Sequence, residues 1–459
     1  MSPGKHGTSA AGKPRGKRLS AMQRKEIEQP SSESQRQERL ILLILSAVQF
    51  TTIVDFMIVM PLGPQLMRTL AIGPAEFGLI VSSYTFAAGA AGLVASSIVD
   101  RFARRSAFLV LYAGFLLGTL LCGLATTYHA LVLARTVTGA FGGILGGMTM
   151  TIIGDVFPEQ RRGRATGSLM TGFSLASVAG VPLGLFLGTN YGWQFPFFVL
   201  VVCGLPALVL TAFALPRLDA HTHKAHAHPL QMLVATFSRA NHLNAFALIT
   251  VLMIAGFSIF PYISTYFVAN LGMTEDQLPL IFIVGGVLTL GSSPVIGRLA
   301  DRFGKLRVYR IISPLSALLF VTITHLSTVS VLVIVAVYGA LMVCNVGRMI
   351  AAMALMTGSV EPHMRGGFLS ANASVQQIAS GLAASLAGLV IAEAPDGRLE
   401  NFGTVGWIGA VATLASIWLA GRIRPAAGHA PSATEISLAA AAEATVDAGE
   451  PILGVVESD

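Results

Sequence analysis

The chain has 459 residues, of which 53% are hydrophobic and 12% are charged, and its mean hydropathy is +0.69. Soluble domains carry about 25% charged residues, so this composition excludes an ordinary soluble enzyme. The three cysteines, Cys122, Cys203 and Cys344, lie in apolar runs without a CxxC pair, which excludes a disulfide framework and a zinc site. A net charge of +7 is compatible with binding to nucleic acid, but the positions of the charges favour contact with an anionic membrane leaflet.

Residues 1–39 contain nine Lys or Arg, four Asp or Glu and no apolar stretch, which predicts a disordered cytoplasmic tail with no cleavable signal peptide. Twelve apolar runs follow, each near the length of about 20 residues that a membrane-spanning helix needs. They are residues 43–62, 77–98, 107–125, 131–153, 165–188, 195–215, 245–268, 280–296, 311–326, 329–353, 368–392 and 405–420. The sequence therefore predicts an all-α membrane protein with twelve transmembrane helices.

The longest internal connection, residues 216–244, divides the spans into two sets of six. It contains four histidines between positions 221 and 228, for which a plain polar linker is favoured over a metal site. The predicted halves are thus residues 40–215 and 245–424. Residues 425–459 hold six acidic residues and no Lys or Arg, which predicts a second disordered cytoplasmic tail.

The distribution of basic residues predicts the orientation. With the amino terminus in the cytoplasm, the inner loops carry 15 Lys or Arg and the outer loops carry two, Arg68 and Arg398. Cytoplasmic loops are enriched in Lys and Arg. Both termini are therefore expected in the cytoplasm, in a protein of the inner (plasma) membrane.

Two loop sequences recur at nearly the same spacing. S-S-I-V-D-R-F-A-R-R begins at Ser96, and G-R-L-A-D-R-F-G-K-L-R begins at Gly297, 201 residues later. F-P-E-Q-R-R-G begins at Phe157, and E-P-H-M-R-G-G begins at Glu361, 204 residues later. The repeats predict two duplicated six-helix halves with pseudo-twofold symmetry and a substrate site between them near the middle of the membrane.

These loops resemble the loops of the major facilitator superfamily, whose pattern G-x-x-x-D-R-x-G-R-R follows the second span and recurs after the eighth. Three further stretches are similar to family motifs: D-F-M-I-V-M-P-L from Asp55, L-A-R-T-V-T-G from Leu133, and G-V-P-L-G from Gly180. The resemblance covers about residues 40–424. In the first loop, Ser96 and Ala103 stand where the family pattern has glycines.

The stretch with Gly180, Pro182 and Gly184 resembles a signature of the drug/proton antiporters with twelve helices, although Val181 separates its glycine from its proline. The resemblance implies export in exchange for protons. It also implies that the bend allowed by Pro182 in the fifth span helps to close leakage between the halves.

Asp55 is the only acidic residue within the twelve apolar runs. A carboxylate in hydrocarbon is costly unless it is protonated, paired or hydrated, and it marks a proton or ion pathway. We therefore expect Asp55 to carry the coupling proton, in preference to merely packing helices. Arg135, in the fourth span, is expected from the resemblance to help proton transfer, and the alternative is that it extends to the outer headgroups.

Several polar residues in the second half are candidates for the substrate cavity. Arg348 is predicted about five residues, or about 7 Å, from the inner end of the tenth span. Four roles are open for it: binding an anionic substrate group, holding a helix contact, helping to position Asp55 across the cavity, or extending to the inner headgroups. The other candidates are Asn345, Tyr262, Tyr266, Asn372, Gln376 and Gln377. Inter-helix hydrogen bonding is the alternative for each of these side chains.

The two loop motifs suggest a conformational latch. Each aspartate is followed by a basic cluster, so it can join a charge network between helices and interact with the positive amino terminus of a neighbouring helix. Such contacts can exist in one access state and break in the other. The residues expected to form the latch are Asp100, Arg101, Arg104, Arg105, Asp301, Arg302, Gly304 and Lys305.

The favoured function is a secondary transporter that exports a small organic molecule, a drug-like compound or metabolite, in exchange for protons. The alternatives are sugar or metabolite efflux, proton-coupled uptake, and a receptor or sensor that has lost transport. No GxxxxGK[ST] loop occurs, so ATP coupling is not expected, and we expect neither enzymatic activity nor a cofactor or metal. The expected partners are the substrate, protons and the lipid bilayer, without nucleic acid, for a monomer.

Overall fold

The computed structural model describes residues 32–98, 103–215, 236–327, 329–361 and 364–426. Within them, twelve helices are long and apolar enough to cross a membrane, as the sequence predicts. Large apolar side chains cover their outside; Phe213 and Leu332, for example, are 82% and 77% exposed. An exposed apolar surface of this extent is suited to lipid.

The helices in chain order are α1 (Ser32–Ile58), α2 (Gly63–Leu70), α3 (Pro74–Ile98), α4 (Arg104–Leu124), α5 (Tyr128–Val156), α6 (Glu159–Leu175), α7 (Val181–Tyr191), α8 (Phe195–Ala214), α9 (Ala240–Phe257), α10 (Ile263–Ala269), α11 (Leu278–Phe303), α12 (Lys305–Thr324), α13 (Val331–Gly358), α14 (Arg365–Val390) and α15 (Phe402–Arg422). A π-helical segment, Ala176–Gly180, joins α6 to α7 in one span. Two short antiparallel strands, β1 (Ala392–Glu393) and β2 (Leu399–Glu400), form a hairpin in which Ala392 pairs with Glu400. The short helices α2 and α10 follow α1 and α9.

The helix contacts follow the same plan in both halves. In the first half α3 packs on α5, α4 on α8 and α1 on α6; in the second half α11 packs on α13, α12 on α15 and α9 on α14. Across the halves, α3 packs on α14, and α7 with its π-helical segment packs on α11. These equivalent pairs agree with the predicted architecture of two six-helix halves related by a pseudo-twofold axis.

The two ends of the bundle differ in how the halves meet. We call the end with residues 32, 215, 240 and 426 the tail end and the end with the β-hairpin the hairpin end. One apolar core cluster at the hairpin end contains residues of both halves, such as Ile58 and Tyr262. The larger clusters toward the tail end each stay within one half, around Phe108 in the first and Tyr309 in the second. The apolar packing that joins the two halves is therefore concentrated at the hairpin end among the described residues.

The spacing along α11 supports this geometry. A Cβ added at Gly286 would lie 3.1 Å from Cα of Val178 in the other half, whereas one added at Gly297 would meet no described atom within 4 Å. Gly297 is three helical turns closer to the tail end on the same helix face. Among the described residues, the contact between this face of α11 and the first half thus ends before the tail end, and we interpret the gap there as an opening between the halves.

Several predicted boundaries differ from the observed helices, including the following four. The helix α1 begins at Ser32, so residues 32–39 belong to a helix and not to the predicted tail, and α9 begins at Ala240. The predicted continuous spans 43–62 and 245–268 are interrupted after Ile58 and Phe257. Residues 1–31, 216–235 and 427–459, with the four histidines and most of both tails, lie outside the described residues.

Candidate functional site

A buried ion pair joins α1 to α5. Asp55 and Arg135 are 0% and 1% exposed, and Nη1 of Arg135 donates to Oδ2 of Asp55 at 2.8 Å and to its backbone carbonyl at 3.2 Å. Thr119 of α4 donates to Oδ1 of Asp55 at 3.0 Å. Both carboxylate oxygens therefore have partners, which offsets part of the cost of burying the two charges. The depth of Arg135 excludes the alternative that it extends to the headgroups.

An aromatic ring covers the other side of the arginine. The guanidinium carbon of Arg135 lies 4.4 Å from the ring centroid of Tyr84 on α3, within the range of a cation–π contact. The Nε atom of Arg135 is buried and has no hydrogen-bond partner among the described residues. Asp55 is thus held by three helices, α1, α4 and α5, with α3 packed over its partner.

Both halves carry a helix break close to this depth. The helix α1 ends at Ile58 and α9 at Phe257, and Pro61 and Pro261 follow, 200 residues apart. Proline cannot donate a backbone hydrogen bond to the residue four positions earlier, so it ends or bends a helix. Broken helices at equivalent positions of two repeats indicate a transport site. These breaks were not predicted from the sequence, although the two prolines are separated by nearly the same number of residues as the repeated loop motifs.

The two broken helices touch each other through aromatic rings. The ring centroids of Phe56 and Phe257 are 6.1 Å apart, and the two residues are 201 positions apart, so they are counterparts in the two halves. Both are only partly buried, whereas the neighbouring Asp55 is fully enclosed. The pair therefore lies between the halves, where the hairpin-end packing gives way to the opening.

The stretch G-V-P-L-G packs directly on the helix that carries Asp55. A Cβ added at Gly180 would overlap Cγ2 of Val54, and one added at Gly184 would lie 2.8 Å from Cδ1 of Ile58. The π-helical segment Ala176–Gly180 lies just before Pro182, whose missing N–H removes a hydrogen bond from that turn. The glycines therefore allow α7 to approach α1 closely on either side of Asp55.

The model of the family described as Major Facilitator Superfamily matches residues 45–384 and 245–449. The chain belongs to the major facilitator superfamily. It is accordingly a multi-pass membrane protein and a secondary transporter of small molecules.

Relatives are found among bacterial transport proteins. An uncharacterized MFS-type transporter of Bacillus subtilis, YbcL, is 24% identical over 378 residues, 82% of this chain and 93% of its own length. The uncharacterized MFS-type transporter Rv1250 of Mycobacterium tuberculosis is 35% identical over 38% of this chain and 30% of its own length. The inner membrane transport protein YdhP of Escherichia coli K12 is 27% identical over 53% of this chain and 62% of its own length.

Solved structures share the fold. The crystal structure of a D-xylose-proton symporter matches with a TM-score of 0.68 and 14% identity, over 84% of this chain and 98% of the other. A nucleoside transporter, NupG, matches with a TM-score of 0.66 and 15% identity, over 84% of this chain and 98% of the other. At this identity the match shows the major facilitator fold alone.

The structure places Arg348 deeper than the sequence suggests. The helix α13 runs to Gly358, so Arg348 lies ten residues, or about 15 Å, from its end and is 0% exposed. It donates to Oγ1 of Thr413 at 2.8 Å and to Oδ1 of Asn345 at 2.9 Å, and it lies over the ring of Phe320. These contacts join α13 to α12 and α15 in the second half, and they exclude contact with the inner headgroups.

The other cavity candidates are either buried or half-buried. Tyr262 and Tyr266 lie in the hairpin-end packing: the Tyr262 hydroxyl donates to the carbonyl of Ala384 at 2.7 Å, and the Tyr266 hydroxyl to that of Leu326 at 2.8 Å. On α14, Asn372 is 2% exposed and its Oδ1 has no partner among the described residues. The side chains of Asn345, Gln376 and Gln377 are half-buried.

The first loop motif is only partly described, since Asp100 and Arg101 lie outside the described residues. Arg104 pairs with Asp155 of α5 at 3.2 Å, and Arg105 donates to the carbonyl of Ala212. These contacts tie the start of α4 to two neighbouring helices of its own half.

The second loop motif forms a turn that needs glycine. Gly304 has φ of 92°, whereas Ala103 at the equivalent place has φ of −56°. Only the first value favours glycine, which explains why alanine fits the first motif. Asp301 is exposed and forms no ion pair with a described residue, Arg302 lies over the ring of Phe303, and Lys305 begins α12.

Proposed function

We propose that this transporter exports a small organic molecule in exchange for protons across the inner membrane, with Asp55 as the proton carrier. The observation that carries the proposal is the buried pair of Asp55 with Arg135. A proton on Asp55 would remove the negative charge that Arg135 binds, so proton and arginine compete for one carboxylate. Such competition lets protonation change the packing of α1 against α5.

The state of the molecule suits loading from the cytoplasm. The count of basic residues favours the tail end as the cytoplasmic end, so the opening faces the cytoplasm while Asp55 is paired with Arg135. In an exporter, substrate would enter this opening after the proton has left, and Asp55 would take up the next proton in the opposite state. The name of the related YdhP, an inner membrane transport protein, supports the location.

The driving force is sufficient for uphill export. Moving one charge through about 100 mV provides about 2.3 kcal/mol, which supports roughly a fiftyfold gradient. The glycines of the antiporter-like stretch pack on α1 around Asp55, and this placement supports antiport over uptake.

Among the cavity candidates, we propose that Asn345, Gln376 and Gln377, together with Phe56 and Phe257, line the substrate path. The contacts of Arg348, Tyr262 and Tyr266 favour a packing role for those three residues. Asn372 is enclosed, and its Oδ1 has no hydrogen-bond partner among the described residues. A monomer with one substrate path between its halves is the arrangement that fits this proposal.

The test is transport by purified protein in liposomes with an imposed pH gradient, screened with dyes and metabolites. Asp55→Asn should abolish uphill, proton-driven export at unchanged protein yield, because the side chain can no longer exchange a proton. Glu393→Gln, a change at an exposed carboxylate of the hairpin, is the matched control and should transport normally.

Three outcomes contradict the proposal. Full proton-driven export by Asp55→Asn removes Asp55 from the coupling role. Accumulation in the direction of proton flow indicates uptake, and binding without transport by the unmodified protein indicates a receptor.

A further inference from the structure

An unbroken series of ring contacts leads from the buried ion pair to the boundary between the halves. The guanidinium carbon of Arg135 lies 4.4 Å from the ring centroid of Tyr84. The rings of Tyr84 and Phe56 are 5.2 Å apart, and those of Phe56 and Phe257 are 6.1 Å apart. These distances fall within the usual range for cation–π and aromatic pairs. The first three residues belong to one half, and Phe257 belongs to the other.

Tyr84 has little freedom to move independently of Arg135. It is 2% exposed, and its backbone lies against α5 at Gly139, where an added Cβ would overlap the Tyr84 carbonyl oxygen. A Cβ at Gly142 would lie 2.5 Å from the Tyr84 hydroxyl. The two glycines of α5 therefore form a slot for the tyrosine, one to two turns beyond Arg135 on the same helix.

The far end of the series is placed where a small shift changes how the halves meet. Phe56 adjoins Asp55 in the chain and lies just before the break after Ile58. Phe257 is its counterpart at the end of α9. Packed interfaces have discrete arrangements and do not deform continuously, so a displaced Phe56 ring would favour a different packing against Phe257.

From this geometry we propose that Tyr84 is the positioning residue that couples the charge state of Asp55 to the contact between the halves, through Phe56 and Phe257. The inference rests on the proposed role of Asp55 as proton carrier. When Asp55 is neutral, Arg135 loses its ionic partner and shifts over the Tyr84 ring. The ring transmits that shift to Phe56 and so to the inter-half contact. The titratable groups close to the pair are Tyr84 itself and Cys122 of α4.

The experiment measures the balance between the access states without requiring a known substrate. Spin labels are placed at Gly167 of α6 and Gly291 of α11, where an added Cβ would meet no described atom within 4 Å, after replacement of the three native cysteines. The label distance reports whether the tail end is open or closed. Asp55→Asn imitates the protonated carboxyl.

With Tyr84 present, Asp55→Asn should change the ratio of open to closed molecules by about tenfold, which corresponds to about 1.4 kcal/mol. In the Tyr84→Leu background the same change should be less than twofold, because the ring that transmits it is absent. Tyr84→Phe keeps the ring and should retain the tenfold change. The double variant Phe56→Leu/Phe257→Leu removes the ring contact between the halves and should also abolish the response to Asp55→Asn. It replaces Tyr84→Leu in this test if Tyr84→Leu does not fold.

A tenfold response that survives in both Tyr84→Leu and the Phe56→Leu/Phe257→Leu variant overturns the coupling proposal and leaves Asp55 as the proton carrier. A protein with Tyr84 intact that does not respond to Asp55→Asn contradicts both the coupling proposal and the role of Asp55. Loss of the response in Tyr84→Phe as well as in Tyr84→Leu shows that the hydroxyl is required and overturns the role of the ring contacts.

Discussion

At the scale of single residues, Arg135 and Arg348, the two fully enclosed arginines among the described residues, have different kinds of partner. Arg135 has an acidic partner, Asp55, and stays in an ion pair that a proton can break. Arg348 has only neutral partners among the described residues, the hydroxyl of Thr413, the amide oxygen of Asn345 and the ring of Phe320. A charge held by neutral groups cannot be switched by a proton on its partner, so Arg348 is suited to joining helices.

Replacement of Arg348 tests that assignment. Arg348→Met keeps most of the volume and removes the buried charge, a change that is often neutral or stabilising. We expect its melting temperature and transport to match those of the unmodified protein, whereas Arg348→Ala should lose about 2 kcal/mol or more of stability through the cavity it leaves. Calorimetric substrate binding and thermal unfolding provide the measurements. An Arg348→Met protein that is fully stable but does not bind substrate would assign Arg348 to the substrate site.

At the scale of helices, the contact between α7 and α1 determines where Asp55 lies. Gly180 lies against Val54, one residue before Asp55 on α1, and Gly184 lies against Ile58, three residues after it. Because close-packed interiors resist added volume, a side chain at Gly180 must displace Val54, whereas one at Gly184 meets only the end of the flexible Ile58 side chain. The antiporter-like stretch therefore acts on the proton site through packing.

Gly180→Ala should impair transport at least tenfold and destabilise the protein by about 1–3 kcal/mol, the usual cost of overpacking. Gly167→Ala, in the same span, is the matched control, since its Cβ would meet no described atom within 4 Å. It should leave transport unchanged and raise stability slightly, because alanine favours helix. Normal proton-driven transport by Gly180→Ala would show that the close approach of the two helices is not needed.

At the scale of the whole molecule, the hairpin end carries an ion pair between the halves. Arg68 after the first span and Glu275 before the eighth are 2.6 Å apart, with side chains 66% and 17% exposed. Hydrogen bonding to Glu275 raises the pKa of the Arg68 guanidinium further above its ordinary range, so the arginine stays charged at any working pH. The pair therefore favours the state that is closed at this end.

Glu275→Gln should shift the balance toward the state open at the hairpin end. Exposed ion pairs contribute at most about 1 kcal/mol, so the shift should not exceed roughly fivefold and should shrink in high salt. Asp276→Asn, at the neighbouring exposed residue, should have no effect, and exchange of the two charges, Arg68→Glu with Glu275→Arg, should restore the balance. Spin-label distances at Gly167 and Gly291 measure it, and an equal shift in Asp276→Asn would rule out this ion pair as the cause.

The loop motifs are proposed to act at the opposite end. Asp301 has no ion pair with a described residue in this state, so the proposed latch would have to form when the tail end closes. Asp301→Asn should then favour the open state by about tenfold, equivalent to about 1.4 kcal/mol, and Asp100→Asn should act on the counterpart in the first half. The measurement is labelling of single cysteines on the two sides by a thiol reagent. Reduced transport with an unchanged labelling ratio would assign these aspartates to folding or insertion.

The membrane class, the twelve spans, the duplication and the family could be predicted from the sequence alone, because each depends on local composition or on a repeated motif. Asp55 was also identifiable from the sequence, since a lone carboxylate among apolar residues stands out. Helix ends were less accurate at residues 32–39 and 240–244, where polar residues extend a helix beyond the apolar run.

Which of these residues are in contact is visible only in the folded arrangement of the helices. The partners of Asp55 lie 64 and 80 positions away in the chain, and Phe56 meets a residue of the other half. Such contacts depend on how helices cross, which no local pattern records. The same holds for Arg348: its apolar surroundings in the sequence did not show which groups it contacts, and the positions of α12 and α15 do. The opening at the tail end is likewise a property of how two six-helix bodies are packed, because the same sequence must also form the opposite state.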